Sequence, residues 1–333
     1  MWAKPTMQHE AILYSLDPKI SYGHIQTMTD YDTTKYDKLQ TRIQENKIWA
    51  MLDSDQDFHY KLLPIRPRVH IVYYLGNISL LNQKTLGIVW PRKMSLYGKQ
   101  VLENLFTSTQ DHDIVTVSGM AEGIDQLCHQ LSHDYNIPTI AVLWWGLWRY
   151  LKKQERTIIQ QIVAAGGLVI SEYKLWEPPT KYTFPQRNRL IAGLSDVLFV
   201  PEAGEKSGSL ITVDCAIAMK KPIYATPNSI FSQTSAGVLH YIETGFIHPI
   251  FSLSSFLATH FTSKHISSRP QPTIHLTDQE QCLVSCLSRD QWVAIHALVQ
   301  GTWMDIQESI SLLTILEIKW LVGENEPGKY ILK

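Results

Sequence analysis

Residues 183–213 read TFPQRNRLIAGLSDVLFVPEAGEKSGSLITV. At the centre, Asp196 to Val200 is a short apolar run bounded by Ser195 and Pro201, the pattern of a strand buried on both faces of a parallel sheet. The chain then passes through Glu202, Ala203, Gly204, Glu205, Lys206, Ser207, Gly208 and Ser209 into LITVDCAIAMKK, whose apolar positions Leu210, Ile211, Val213, Ala216, Ile217 and Ala218 fit one helix. A Gly/Ser-rich turn that opens a helix leaves backbone N–H groups free at the positive end of the helix dipole, which suits an anion. Lys206 adds a full charge. Arg187 and Arg189 precede the strand, and all three cations converge on one groove if the segment before Leu190 folds back over the C-terminal strand edge.

Working outward, the same scheme repeats. Val69, Ile71, Val72 and Tyr73 follow prolines 64 and 67, LGIVW occupies 86–90, and a helix is predicted from about Tyr97 to Thr107. Ile114 to Val117 reads as a strand that ends in a Ser-Gly turn and enters a helix near Gly123. PTIAVLWW (138–145), a helix around Arg156 to Ala164, GGLVISE (166–172) and PIYATP (222–227) continue the pattern. Short apolar strands alternating with helices define an α/β fold on an open parallel sheet with right-handed crossovers. Ligands bind such sheets beyond the C-terminal strand ends, so the turns at Ser118-Gly119, Gly146 and Glu202 to Ser209 should crowd one edge. Ahead of this lies a helix-like segment to about residue 52, with polar TMTDYDTTKYDK (27–38) between its two apolar runs. Behind it, TSKHISSRPQP (262–272) reads as a linker. LTDQEQCLVSCL, WVAIHALVQ, DIQESISLLTILEIKWLV and GKYIL then read as three helices and a short hairpin, with Thr277 and Glu280 spaced as a capping box.

At 333 residues the chain can hold two or three domains. A hydrophobic share of 44% with 18% charged residues excludes the disordered and collagen-like classes, and no apolar run reaches the roughly 20 residues that span a bilayer. With no signal-peptide pattern at the N-terminus, the expected location is cytoplasmic. Cys128, Cys215, Cys282 and Cys286 form no C-x-x-C pair, which argues against a disulfide framework or a zinc site. A net charge of −1 gives no global basic signal, so nucleic-acid binding would have to come from a local patch. There is no dinucleotide G-x-G-x-x-G, Walker A, H-E-x-x-H or G-x-S-x-G pattern, and neither a cofactor, a metal nor a catalytic residue is expected.

VTVSGMAEGID (115–125), FPQRNRLIAGLS (184–195) and EAGEKSGSLIT (202–212), in that order on such a sheet, resemble the DNA-processing protein A (DprA/Smf) family. The resemblance is strong over about 58–255 and looser over 274–333. It implies an extended Rossmann-like sheet over 56–258, a small helical, SAM-like domain over 1–55, a linker over 259–273 and a winged-helix domain over 274–333. It implies a non-enzymatic, dimeric binder of single-stranded DNA that loads the recombinase RecA onto strands otherwise covered by single-strand-binding protein, in transformation or recombination. The implied DNA contacts are Arg92, Ser118, Gly119, Arg187, Asn188, Arg189, Lys206, Ser207, Gly208, Ser209 and Thr212. Arginine forks and helix-start N–H groups hold phosphates without reading sequence.

Three departures from the family pattern stand out. Trp90-Pro91-Arg92 replaces Gly-Ser-Arg, Glu122 replaces an arginine, and WWGLWRY introduces Trp144, Trp145 and Trp148, which either stack on bases or belong to the core. His129 reads as a satisfied helix histidine. The helix over 305–317 carries Asp305, Glu308 and Glu317 without Lys or Arg, the wrong charge for reading duplex DNA, and points to protein contact or regulation. Two other readings are a nucleotide or phosphoribosyl hydrolase, against which stands the lack of paired glycines in EAGEKSGS, and a winged-helix transcription regulator, against which stands that acidic helix.

Overall fold

The computed structural model describes residues 6–16, 31–89, 91, 95–121, 124–148, 153–264, 276–288, 292–302, 304–318, 321–326 and 328–332. Residues 1–265 and 266–333 form two compact units. The first is built on a nine-stranded sheet of β1 (Trp49–Leu52), β2 (Ile71–Gly76), β3 (Thr85–Ile88), β4 (Val115–Ser118), β5 (Thr139–Val142), β6 (Leu168–Ser171), β7 (Val197–Phe199), β8 (Ile223–Ala225) and β9 (His248–Pro249). Their spatial order is β1-β2-β6-β5-β4-β3-β7-β8-β9.

From β6 to β9 every neighbouring pair is parallel. Beyond β6 the expected all-parallel pairing gives way: β2 lies antiparallel to β6 and β1 antiparallel to β2. Gly76 makes that edge possible. It closes β2 at a φ of +93°, and a Cβ there would collide with the Gly167 carbonyl just ahead of β6.

Side chains alternate between the faces. Ile140 and Val142 of β5 and Leu198 of β7 enter one buried cluster, while Ala141 and, from β7, Val197 and Phe199 enter clusters on the opposite side. A sheet buried on both faces needs helices on both. One face carries α6 (Thr183–Leu194), α7 (Ser209–Ala218) and α8 (Ala236–Glu243). The other carries α1 (Thr6–Leu16), α2 (Thr33–Glu45) and α5 (Lys153–Ala164) over β1, β2, β5 and β6, with α3 (Leu96–Thr109), α4 (Ile124–Asp134) and α9 (Leu253–His260) over β3 and β7. The Tyr73 hydroxyl of β2 donates to the Ala11 carbonyl at 2.7 Å and shares a 2.8 Å hydrogen bond with Ser15, which pins α1 to the sheet.

The sheet therefore begins inside the segment expected to be a separate helical domain, since β1 precedes residue 55. Its helices pack on the sheet as part of the same compact unit. At the other end α9 runs into the expected linker, of which 265–273 lies outside the described residues.

The second unit contains α10 (Asp278–Ser285), β10 (Val293–Ala294), α11 (Ile295–Thr302), α12 (Ile306–Ile318), β11 (Val322–Glu326) and β12 (Lys329–Leu332). Its antiparallel sheet has the order β10-β12-β11. Leu283, Leu298, Leu313, Leu316 and Val322 form its core, and Thr277 with Glu280 closes a complete capping box on α10. Among the described residues no helix is long and apolar enough to cross a membrane.

Candidate functional site

The chain steps outward from β3 through β4 and β5 to β6, then returns to the other side of β3 as β7. A parallel sheet leaves a crevice at such a reversal, beyond the C-terminal strand ends. A groove of about 800 Å³ opens there, lined by Pro91, Phe184, the turn from Gly204 to Ser209, Gln233, Thr234 and Ala236. Lys206 and Gly208 are exposed, and Ser207 is half-buried. The Ser207 and Ser209 hydroxyls lie 2.5 Å apart. Gly208 offers no side chain to cap α7; the Ser209 N–H reaches the Ser207 hydroxyl at 3.4 Å and the Leu210 N–H donates to the Ser207 carbonyl at 3.1 Å, so the turn itself holds the dipole end of the helix at the groove.

The two arginines do not join Lys206. Arg187 is 1% exposed, donates to the Val142 carbonyl at the end of β5 and lies 3.8 Å from Asp125. Its guanidinium sits 5.4 Å from the centre of the Phe184 ring. Burial holds this guanidinium below its usual pKa and pushes the Asp125 carboxyl above its own, while their mutual attraction opposes both shifts. Arg189 is 7% exposed and pairs with Glu172, after β6, at 2.6 Å. Burial raises the Glu172 carboxyl, and the Arg189 charge opposes that.

The expected three-cation anion site is therefore not formed in this conformation. The cause is the packing of α6, nine of whose twelve residues are buried. Its arginines press into the loops after β4, β5 and β6 and brace them, which leaves Lys206 as the exposed cation among the three. Asn188 braces the groove turn itself, donating to the Gly208 carbonyl at 3.3 Å and accepting from Arg187 Nε.

Ser118 and Gly119, at the end of β4, are also buried. The Ser118 hydroxyl donates to the Ile88 carbonyl at 2.8 Å and ties β4 to the end of β3. His129 holds the Gly119 carbonyl at 2.7 Å through Nε2 and meets the Thr139 hydroxyl at 2.8 Å through Nδ1. An acceptor carbonyl on one nitrogen requires a proton there, so Nδ1 accepts from Thr139. Burial lowers the His129 pKa to about 4. Thr212 is buried at 1% exposure within α7. Arg92 and Glu122 lie outside the described residues. Of the three tryptophans, Trp145 is buried at 1% exposure, whereas Trp144 and Trp148 are half-buried; Trp144 meets Phe184 edge-on at 5.4 Å.

Several organising residues have partners that the sequence does not signal. Glu202 is fully buried and accepts the Ser95 N–H at 2.8 Å and the Ser95 hydroxyl at 2.5 Å. It thereby ties the loop after β7 to the start of α3 across the crevice. A glutamate next to a Gly/Ser-rich turn reads as surface until its partner, 107 positions upstream, is known. Asp125 and Glu172 are hidden in the same way, because each is explained by an arginine on α6.

The chain matches the family model described as DNA recombination-mediator protein A over residues 49–259. It is 35% identical over 191 residues to the DNA processing protein DprA of Streptococcus pneumoniae, a match covering 57% of this chain and 67% of that protein. Among solved structures, DNA processing protein A from Streptococcus pneumoniae superposes with a TM-score of 0.60 at 27% identity, covering 78% of this chain and 95% of that one. DNA processing protein A from Helicobacter pylori, whose structure concerns its single-stranded DNA binding mode, superposes with a TM-score of 0.56 at 27% identity over 64% of this chain and 95% of that one.

Proposed function

The chain belongs to the DNA recombination-mediator protein A family, and on that premise we propose that it binds single-stranded DNA in the groove ahead of α7, acting by binding and not by catalysis. The observation that carries this reading is the groove's position at the strand-order reversal, with a helix start, two serine hydroxyls and exposed Lys206 on one wall. These groups suit phosphate oxygens and carry no base information. Lys206, Ser207, Gly208 and Ser209 touch the strand. Arg92, on its sequence position, is a further phosphate contact. Ser118, Gly119, Arg187, Asn188, Arg189 and Thr212 hold the loops that shape the groove. The Helicobacter relative's single-strand binding supports the same assignment.

The second unit is a winged helix, a reading supported by its order of helix, strand, two helices and hairpin. The acidic character of α12 favours a protein partner over duplex DNA. In the cell the protein acts as a homodimer that passes single strands, cleared of single-strand-binding protein, to RecA. The test is a fluorescence-anisotropy titration with single- and double-stranded oligonucleotides of equal length. Tighter binding of the single strand, lost progressively with salt, is the expected result. Equal or stronger binding of the duplex would overturn the assignment.

A further inference from the structure

Away from the groove, a second surface combines positive charge with exposed aromatic rings. Lys35, Lys38 and Arg42 lie at i, i+3 and i+7 of α2, which places them on one helix face, and all three are exposed. With Ser15, Leu16, Leu39 and Trp176 they line a cavity of about 190 Å³. Trp176 is 47% exposed, its ring centre 5.0 Å from that of Trp148. The Arg42 guanidinium lies 5.4 Å from the Trp176 ring centre and 5.9 Å from that of Trp148.

The platform beneath is tied down. Trp148 N–H donates to the Leu175 carbonyl at 2.8 Å, Gly146 N–H to the Glu177 carbonyl at 2.9 Å, and Leu175 N–H to the Ser15 hydroxyl at 3.4 Å. The carboxylate at the N-cap of α2 does little to neutralise the face. Asp32 pairs with Lys35 at 3.8 Å with both side chains more than half exposed, a pair of small worth in water. Among the described residues Lys38 has no carboxylate partner.

Topology connects this surface to the groove. Trp148 follows β5 and Trp176 follows β6, and both strands run parallel to β3 and β7. Their C-terminal ends share one rim, three to four strand spacings of ~4.8 Å from β7, or about 15–20 Å. Half-buried Trp144 stands beside the groove, meeting Phe184 of its wall edge-on. Stacked nucleotides advance about 3.4 Å each along a strand, so roughly five or six of them cover that distance.

We propose that Lys35, Lys38, Arg42 and Trp176 form a second contact for the same DNA single strand, which leaves the groove and runs along the C-terminal rim of the sheet onto α2. This rests on the reading of the groove as a single-strand site. Splayed bases stack on an exposed tryptophan whatever their sequence, and cations beside it take the phosphates. A duplex keeps its bases stacked inside and offers the ring nothing comparable.

The test compares wild-type protein with the Lys35→Ala/Lys38→Ala/Trp176→Ala variant on thymidine oligomers of about three nucleotides, which at 3.4 Å each stop short of the end of the rim track, and of about twenty. The long oligomer should bind the variant on the order of tenfold more weakly, with its salt dependence flattened by about 1.4 from the two lost lysines. Affinity for the short one should be unchanged, and Trp176→Phe should retain most of the long-oligomer affinity. A variant that unfolds fails on both lengths; Trp176→Phe with Lys38→Ala then takes its place. Unchanged affinity and salt slope on the long oligomer, or an equal loss on both lengths in a folded variant, would overturn the proposal. If wild-type protein binds neither oligomer, the groove reading fails and this one with it.

Discussion

Gly119 has no room for a methyl group, because a Cβ there would run into the Arg187 guanidinium and the Asp125 carboxylate. That crowding explains how the same arginine-rich segment can shape a groove without lining it, and it separates two mutations that look alike on paper. Arg189→Ala leaves Glu172 buried without its cation and should destabilise the fold by about 3–5 kcal/mol in a denaturant titration. Lys206→Ala should leave stability unchanged while weakening single-strand binding and flattening its salt slope by about 0.7. The opposite pattern, a stable Arg189→Ala protein with a flattened slope, would place Arg189 on the strand. His129 yields a pH signature. Its pKa falls from 6.5 to about 4 on burial, so the unfolded chain takes up a proton that the native state refuses. The stabilisation is full above about pH 6.5 and is lost as pH falls toward 4, by about 3 kcal/mol in total. Asp125, raised by burial, works in the opposite direction over acidic pH, and the informative quantity is the difference between wild type and His129→Gln. That difference should shrink steadily between pH 6.5 and 4; a difference independent of pH would mean the imidazole is not held neutral.

At the level of elements, what could be read from the sequence tracks how each segment is buried. Strands such as β4, β5 and β6 are short apolar runs between turns and stand where their sequence puts them. The helix after the central turn was equally legible, because its start is marked by Gly208 and Ser209. By contrast α6 shows no apolar stripe: Leu190, Ile191, Ala192, Gly193 and Leu194 are consecutive and all buried, and a helix covered all round has no amphipathic period to detect. β1 is hidden for a different reason, since its four residues gain meaning only from pairing with β2. The buried lysine that anchors β7 was also invisible. Lys61 Nζ donates to Asp196 at 2.8 Å, to the Gln83 carbonyl at 2.9 Å and to the Thr85 hydroxyl at 3.1 Å, which joins the turn at Tyr60–Leu62 to the starts of β3 and β7. Burial alone would raise the Asp196 carboxyl, but Lys61 and the Thr85 N–H hold it below its usual value. Lys61→Met removes the cation and should cost about 3–5 kcal/mol. Adding Asp196→Asn, which removes the stranded charge, should recover part of that loss; no recovery would mean the lysine acts through its packing.

For the whole molecule, the division of labour follows from where the cores lie. Every buried cluster of the sheet is drawn from residues 11–261, and the cluster of the second unit from residues 283–330. A chain ending at residue 265 contains every described residue of the three sheet clusters and should unfold cooperatively in a thermal melt. It also keeps the groove, Lys206 and α7, and should retain most of the full-length affinity for single strands. The second unit is expected to contribute little to DNA binding, for a reason visible on α12. Exposed Ile306, Ile310 and Ile315 stand on that helix with Glu308, and the helix contains no Lys or Arg, whereas a helix entering a major groove is drawn in by cations and reads base edges through polar side chains. Full-length protein should therefore show no gain in duplex affinity over the truncated chain when the two are titrated side by side at physiological salt. A collapse of single-strand binding in a truncated protein that still melts cooperatively would move the DNA site out of the groove. A clear duplex advantage for the chain carrying both units would make the second unit a DNA reader and overturn the protein-contact reading proposed for it.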